Sequence, residues 1–389
     1  MMRITGWLAV LSSMSFLAAQ EGSSEGADTL SYGDASSVQM SGAKLGLATD
    51  PFEKAVEKGE LQGVVLLVAR RRAIVLHEAH GWRDLDKKKP MRKDSLFRMA
   101  SNAKALTAAG ILILVDAGKL GLDDPVGKYL PSFRSSGSEK ITIRHLLTHT
   151  SGLRIRTLFL RPLLEKSAEH PDAPSLQAEV SRFGKIGAKV EPGTSFSYNN
   201  PGYNTLAALV EVASGIPYKK FLADRIYGLL GMKDSCNHES DADHARMSAV
   251  FRSRGDDGWR LGWQPGDPPD YPFPRGSGGM ISTVFDYAIF CQAYMNGGTY
   301  GGKRLLSEAL VKQATHSQSE HIAAAGNYGF GLRETDGVCS HGGSDGTWAW
   351  FDPKRQIVGC VFTQNPGSSG RQALADEFRR LVEAACEDE

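Results

Sequence analysis

Ser101 and Lys104 lie three residues apart at the start of a long apolar run, a pattern that could activate an alcohol for nucleophilic attack. Residues three apart share one face of a helix, so the hydroxyl and the amine would point the same way. The residues after Lys104 are apolar almost without interruption, which predicts a buried helix over residues 101–115. Burial lowers the pKa of a lysine, and a partly neutral amine can take the proton of a serine. The pattern also fits a purely structural role, in which Ser101 caps the helix and Lys104 extends to solvent.

A second chemical pair, Tyr198 and Asn200, lies in a polar stretch further along the chain. The phenol of Tyr198 could exchange protons at Ser101, and a nearby Lys104 is expected to lower its pKa by favouring the phenolate. Two such groups titrate as a coupled pair, so the sequence leaves open whether lysine or tyrosine is the general base. Asn200 directly precedes Pro201, which predicts a helix N-cap followed by proline. The Asn200 amide could also orient Lys104 and contact a substrate.

The stretch from His341 to Ser344 contains two glycines and directly precedes a predicted strand. Because glycine has no side chain, Gly342 and Gly343 would let the backbone approach a substrate closely. The amide of Ser344 could then join that of Ser101 in an oxyanion hole, where one donor contributes about 10²–10³ in rate. His341 would be only partly charged near neutral pH. The same stretch is also compatible with a simple turn at the entry to the strand.

The motifs S-x-x-K, Y-x-N and H-x-G, in this order, resemble those of the serine β-lactamase and penicillin-binding-protein superfamily. The Y-x-N form is most similar to class C β-lactamases, family VIII esterases and D-amino-acid peptidases, and the resemblance extends over roughly Leu45 to Cys386. It implies that Ser101, Lys104 and Tyr198 are the catalytic residues. True β-lactamases commonly have a lysine at the position of His341, where it attracts the substrate carboxylate, so strong penicillin turnover is not expected here.

These motifs predict a serine hydrolase that cleaves an ester, a D-amino-acid peptide or a β-lactam through an acyl-enzyme on Ser101. Substrate contacts are expected from Asn200, His341 and Gly343, and the oxyanion hole from the amides of Ser101 and Ser344. The expected partner is a small-molecule or peptide substrate, with no metal or organic cofactor. Two alternatives would use the same site: a non-hydrolytic penicillin-binding sensor or scaffold that stalls after acylation, and an acyltransferase.

The resemblance implies an α+β fold of the β-lactamase type, in which helices flank an antiparallel sheet, and the order of the predicted elements agrees with it. Strands are expected over residues 63–69, 73–79, 347–351 and 356–362, and helices over residues 143–153, 201–214, 283–294 and 372–385. One domain would span residues 44–389, with an α/β part from 44–122 and 272–389 and a mostly helical insertion from 123–271.

Two other groups of residues receive a structural interpretation. His145 and His149 have the spacing of zinc ligands, but Leu146 stands where a zinc protease has its glutamate, so no metal site is predicted. The segment 154–190 has no strong periodicity and is expected to cover the site. Three of its arginines, which could meet an anionic substrate, more simply form a solvated face; they are Arg154, Arg156 and Arg161.

Composition and the N-terminal segment limit the function classes. The 389 residues contain 45 Lys and Arg against 44 Asp and Glu without a basic patch, so no nucleic-acid partner is expected. Residues 1–19 resemble a secretory signal peptide, with an apolar stretch too short to span a membrane, and residues 20–43 are predicted to be a flexible leader. A periplasmic or secreted protein is therefore expected, the alternative being a disordered cytosolic tail. Oligomeric state cannot be read from these features.

Overall fold

The computed structural model of the chain describes residues 28–135, 137–154, 163–255, 258–322, 326–366 and 370–388. The strands are β1 (Ser31–Tyr32), β2 (Gly63–Arg70), β3 (Ala73–Gly81), β4 (Phe97–Arg98), β5 (Val250–Ser253), β6 (Trp259–Trp263), β7 (Ile281–Ser282), β8 (Thr299–Tyr300), β9 (Lys303–Arg304), β10 (Arg333–Thr335), β11 (Val338–Gly342), β12 (Thr347–Asp352) and β13 (Ile357–Thr363). The α-helices are α1 (Gly42–Glu57), α2 (Ala103–Asp116), α3 (Ile143–Leu147), α4 (Leu176–Ile186), α5 (Asn200–Ser214), α6 (Tyr218–Leu222), α7 (Gly228–Leu230), α8 (Val284–Met295), α9 (Glu308–Thr315) and α10 (Arg371–Ala384). None of the helices in these ranges is long and apolar enough to cross a membrane.

Seven strands form the main sheet in the order β1-β3-β2-β13-β12-β11-β10. Every neighbouring pair is antiparallel except β1 and β3, which run parallel at one edge. The predicted antiparallel sheet is therefore a mixed one. Strand β2 is buried along its whole length, because helices cover both faces of the sheet at this point, and its sequence is accordingly a continuous apolar run.

Alternation along the central strand divides its side chains between two apolar cores. Val64, Leu66 and Val68 of β2 face the core formed with α1 and α10. Val65 and Leu67 face the larger core, to which α2, α5 and α8 contribute. Successive side chains of a strand point to opposite faces, so one apolar run supplies both cores.

The part of the predicted leader that the structure describes belongs to the folded domain. Ser31 and Tyr32 pair with β3, and Ser41 caps α1, its side chain accepting a hydrogen bond from the amide of Lys44. The prediction of a flexible leader is wrong from residue 28 onward. The predicted signal peptide, residues 1–19, lies outside the described residues.

The predicted helical insertion contains α3 to α7 and also the β5–β6 hairpin. Its first helix is shorter than predicted, since α3 ends at Leu147 rather than at residue 153. The reason is local: His149 adopts a left-handed backbone with φ of 59°, and an α-helix cannot continue through that conformation. This early end places His149 beneath the site described below.

Candidate active site

Ser101 lies in a tight turn that leads into α2. The turn runs from Ala100 to Asn102 as a 3₁₀ helix, and Ala100 has a left-handed backbone with φ of 44°, an unfavourable conformation for alanine. The turn is tied to the start of β12: the Asn102 amide donates to Thr347 Oγ1 at 2.8 Å, and that hydroxyl donates to the carbonyl of Met99 at 3.2 Å. Contacts between two segments that are far apart in the sequence thus fix the position of the serine.

Lys104 is fully buried in the first turn of α2, with its amine directed at Ser101. Its Nζ lies 2.9 Å from Ser101 Oγ, 3.0 Å from Asn200 Oδ1 and 3.1 Å from the carbonyl oxygen of Ser277. Burial lowers the pKa of Lys104 to about 7, and the nearby charge of Arg275 acts in the same direction. The amine is thus partly neutral near pH 7, as its apolar sequence environment predicts, and it does not extend to solvent.

Tyr198 lies on the other side of the amine, with Lys104 Nζ 4.8 Å from the centre of its ring. Burial raises the pKa of Tyr198, and a hydrogen bond with Ser101 opposes this shift. The prediction of a lowered pKa is wrong, because desolvation of the phenolate outweighs the hydrogen bond with Ser101 and the charge of Arg333. Tyr198 is therefore protonated at neutral pH, and of this pair only Lys104 has a pKa near 7.

His149 holds Tyr198 in place from below. The amide of Ser197 donates to the carbonyl of His149 at 2.8 Å, and the amide of Asn199 donates to His149 Nδ1 at 3.3 Å. Between these two contacts the rings of His149 and Tyr198 lie 4.3 Å apart, centroid to centroid. Burial keeps the pKa of His149 well below its usual value, so the ring is neutral and can accept the Asn199 hydrogen bond. The spacing of His145 and His149 in the sequence predicts a structural role for His149 but not this contact with Tyr198.

The helix cap near Tyr198 differs from the prediction. Asn199, not Asn200, is the N-cap of α5, and its side chain accepts from the amide of Gly202 at 2.8 Å. Asn200 is the first helical residue, and its side chain is turned toward Lys104. The helix thus begins one residue earlier than predicted. Pro201 occupies the second helical position, where a missing amide hydrogen is tolerated as well as at the first. Asn200 is consequently available to the site.

The H-G-G-S stretch approaches the nucleophile through Gly343. A Cβ at Gly343 would lie 2.4 Å from the carbonyl oxygen of Met99, two residues before the serine, so only glycine fits. The close approach is thus to the turn that holds Ser101, whereas the prediction placed a substrate there. Ser344 lines the same cavity as Ser101, which is compatible with the predicted pair of oxyanion donors.

His341 is buried and neutral rather than partly charged as predicted. Burial and the charge of Lys104 lower its pKa to about 3. Its Nδ1 donates to the carbonyl of Gly342 at 2.9 Å, which leaves Nε2 as acceptor for the Tyr328 hydroxyl at 3.3 Å. His341 lines a second cavity together with Tyr198 and is absent from the lining of the one that holds Ser101. No cation at position 341 is therefore available to attract an anionic substrate.

A cavity of about 160 Å³ opens beside Ser101 and is lined mainly by polar groups. Asn200 and Ser344 contribute to it, together with charged side chains that belong to none of the sequence motifs: Arg98, Glu239, Asp270, Arg275 and Asp345. Sequence reasoning missed all five, because they come from distant parts of the chain and carry no characteristic spacing. Only Asp345, which follows the H-G-G-S stretch, lies next to a recognised motif.

The other candidates from the sequence have structural partners or lie elsewhere. The ring of His145 closes a capping box on α3 with Thr142, accepting from its amide at 3.2 Å. Arg154 donates to the Ser195 hydroxyl at 3.0 Å. The remaining two arginines of the segment lie outside the described residues; they are Arg156 and Arg161.

Comparison with known proteins decides the family. A model of the family described as Beta-lactamase matches residues 49–384. The chain belongs to this family. Esterase EstB of Burkholderia gladioli is 32% identical over 290 residues, covering 71% of this chain and 72% of the relative, and penicillin-binding protein 4* of Bacillus subtilis is 36% identical over 186 residues, covering 47% and 40%. The solved structure of EstCE1, titled a hydrolase with promiscuous acyltransferase activity, superposes with a TM-score of 0.72 at 22% identity, covering 88% of this chain and 99% of that one.

These matches establish the β-lactamase and penicillin-binding-protein fold for this chain. At 22% identity, the likeness to EstCE1 concerns the fold alone. The names of these relatives describe different activities. Membership of the family therefore indicates a class of hydrolases but does not identify the substrate.

Proposed function

We propose that this protein is a serine hydrolase that cleaves an ester or amide through an acyl-enzyme on Ser101. The observation that carries the proposal is the contact between Lys104 Nζ and Ser101 Oγ, 2.9 Å, made by a buried amine with a pKa of about 7. A general base is most effective when its pKa lies near the working pH and its acceptor atom lies within hydrogen-bond reach of the proton. Lys104 meets both conditions.

In the proposed acylation step, neutral Lys104 takes the Ser101 proton as Oγ attacks the carbonyl carbon. The carbonyl oxygen becomes an oxyanion, which the amides of Ser101 and Ser344 stabilise. The tetrahedral intermediate collapses when its bond to the leaving group breaks, and the leaving group takes the proton from Lys104, directly or through the hydroxyl of Tyr198. Water then attacks the acyl carbon, and its proton passes to the same groups. The bond between that carbon and Ser101 Oγ breaks, Oγ takes the proton back, and the free acid leaves.

Esters are the substrates that we place first. EstB, an esterase by name, covers 71% of this chain at 32% identity. The neutral His341 also argues against a site specialised for penicillins, whose carboxylate would find no cation at that position. D-amino-acid amides and peptides come second, and β-lactams third. An acyltransferase is the second candidate function, since EstCE1 has that activity according to its title.

The test compares wild type, Ser101→Ala and Ser253→Ala on p-nitrophenyl esters, a chromogenic cephalosporin and D-alanyl peptides. Ser253 is an exposed serine on β5 and serves as the matched control. We expect Ser101→Ala to lower kcat by about 10⁴-fold or more and to abolish labelling by a fluorophosphonate, whereas Ser253→Ala keeps both. Hydrolysis retained in Ser101→Ala would refute the nucleophile.

The time course separates the alternatives. A hydrolase releases product at a steady rate, whereas a penicillin-binding scaffold would release one equivalent per site and stop. Addition of an alcohol or amine acceptor reveals an acyltransferase, because the acyl group then appears in the transfer product in place of the free acid. The proposal predicts continuous release of free acid without any acceptor.

We also propose that residues 1–19 direct export to the periplasm or the exterior, on the basis of their apolar stretch followed by small residues. Fractionation of expressing cells and N-terminal sequencing of the mature protein test this. The expected result is a processed chain outside the cytoplasm, and an unprocessed cytoplasmic chain would contradict it.

A further inference from the structure

Two guanidinium groups line the cavity beside Ser101, and their surroundings differ. Arg98 meets three carboxylates, at 2.7 Å from Asp270, 3.4 Å from Asp345 and 3.6 Å from Glu239. Its charge is therefore compensated within the protein. The three carboxylates and Arg98 form one cluster on a wall of the cavity.

Arg275, by contrast, has no anionic partner. No carboxylate oxygen of the described residues lies within 4.0 Å of its guanidinium, and none of the hydrogen bonds in this part of the chain starts from its side chain. The group stacks on the ring of Tyr271 at 3.7 Å, which fixes its plane without using its N–H donors. Stacking thus holds Arg275 in a defined orientation at the cavity wall.

The environment of Arg275 makes an unpaired charge costly. The guanidinium is largely enclosed by protein, and this burial lowers the pKa of Arg275, while Glu239 and Asp270 oppose the shift through space without touching it. An arginine remains charged in a protein, and no acceptor of the described residues occupies its donors, so they are available to an anionic ligand that displaces water. Because Arg275 and Ser101 line the same cavity, a substrate that is bound at Ser101 lies beside these donors.

We propose that the acyl group of the substrate carries a carboxylate that pairs with Arg275. This inference rests on the proposed hydrolase function and specifies its substrate class: a short, anionic acyl group joined to Ser101 through its ester or amide carbonyl. A planar guanidinium fork binds a carboxylate through two parallel hydrogen bonds. The volume of about 160 Å³ limits the group to a short chain.

Four ethyl esters of similar length test the proposal: monoethyl glutarate, ethyl glutaramate, ethyl pentanoate and ethyl 4-(trimethylammonio)butanoate. They carry an anion, a neutral amide, an apolar end and a cation. Free acid is measured by chromatography for wild type, Arg275→Gln and Arg275→Lys. Arg260→Gln is the matched control, since Arg260 is an exposed arginine on β6.

Wild type is expected to show a kcat/KM for monoethyl glutarate at least about tenfold above that for ethyl pentanoate. Arg275→Gln should lower this ratio by about 10–100-fold, the usual range for a charge-assisted hydrogen bond. Arg275→Lys should recover part of it, because the charge remains and the fork is lost. Arg260→Gln should leave the ratio unchanged.

Two outcomes would overturn the inference: an unchanged ratio in Arg275→Gln, or a preference of wild type for the cationic ester, which would assign the subsite to the carboxylate cluster. Titration of glutarate into wild type and Arg275→Gln tests the subsite without turnover. Binding by wild type alone supports it, and equal or absent binding refutes it. If wild type hydrolyses none of these four esters and none of the esters, cephalosporin or D-alanyl peptides tested above, the hydrolase function is refuted instead, so the two failures are distinguishable.

Discussion

The two sides of the main sheet bury different kinds of residue. On the side of α1 and α10 the core consists mainly of apolar and aromatic side chains, with Phe378 edge-on to both Phe52 and Trp350 at 5.7 and 5.9 Å, and the buried Arg70 is paired with Asp388. The layers on the other side, which include α2 and α5, enclose ionisable groups that have no charged partner in the described part of the chain, such as Lys104 and His149. One side of the sheet is thus a packed apolar core, and the other side holds the candidate active site.

The difference lies in what each burial does to free energy. Removing phenylalanine rings such as those of Phe52 and Phe378 from water stabilises the fold with no polar group left to satisfy. Burying an amine opposes folding, and its contacts with Ser101, Asn200 and Ser277 limit that cost. The same desolvation is what brings the pKa of Lys104 to about 7. Burial of Lys104 on the α2 side therefore lowers stability and makes the amine reactive, whereas the apolar core on the α1 and α10 side contributes stability.

Lys104→Met gives the largest effect and tests this directly. With no amine beside Ser101, we expect kcat/KM to fall by at least about 10³-fold. Ester hydrolysis measures this, with the fold checked by circular dichroism. A variant that keeps a tenth or more of the activity would show that another group is the base.

The stability of the same variant depends on pH in a defined sense. Lys104 has a pKa of about 7 in the folded state and an ordinary value of 10.5. Between these values the unfolded wild type binds more protons, so its stability rises with pH, whereas the methionine variant lacks this contribution. The free energy of unfolding of Lys104→Met, relative to wild type, should fall by about 2–3 kcal/mol between pH of about 7.5 and 9.5. Urea unfolding at both pH values measures this, and a parallel pH dependence would contradict it.

Phe378→Ala probes the opposite side of the sheet. Its ring is fully buried between α1, α10 and β12, so truncation should lower the free energy of unfolding by about 3–5 kcal/mol. The effect on kcat/KM at low temperature should stay within about twofold, because Phe378 belongs to the core on the opposite side of the sheet from α2 and α5. Urea unfolding and ester hydrolysis measure the two quantities. A large loss of activity in a folded variant would show that the two sides are coupled.

Some features of the fold and of the site could be predicted from the sequence. The Ser101–Lys104 pair was predictable because both residues share one helical turn and the apolar run after them forces burial. The sheet was predictable from continuous apolar runs such as that of β2. The edge strand β1 was missed because only two residues, Ser31 and Tyr32, form it, and both are exposed. Such a strand carries no hydrophobic pattern.

The failures inside the site share a physical cause. The sign of the Tyr198 pKa shift and the neutral state of His341 depend on desolvation by surrounding groups, which a sequence does not show. Likewise Arg98 and Arg275 look like ordinary surface arginines in sequence. Only the folded chain reveals that carboxylates compensate the first and none the second. Sequence motifs identify the residues whose atoms react, whereas the burial and charges that set their pKa values come from tertiary structure.

The smallest effect that we predict concerns the charge that Arg275 places near Lys104. After burial, the charge of Arg275 is the second cause of the lowered pKa of Lys104. Arg275→Gln removes this charge, so the pKa of Lys104 should rise and the acidic limb of kcat/KM for a neutral ester should move to higher pH, by less than about one unit. A neutral ester is required so that the substrate itself adds no charge beside the amine.

Arg275→Lys and Arg260→Gln provide the controls for this shift. The lysine keeps the positive charge near Lys104 and should leave the acidic limb close to that of wild type. Arg260 is exposed, and solvent should screen its removal. If the limb of Arg275→Gln stays in place or moves to lower pH, Arg275 does not act on the amine, and the reactivity of Lys104 then depends on its burial alone.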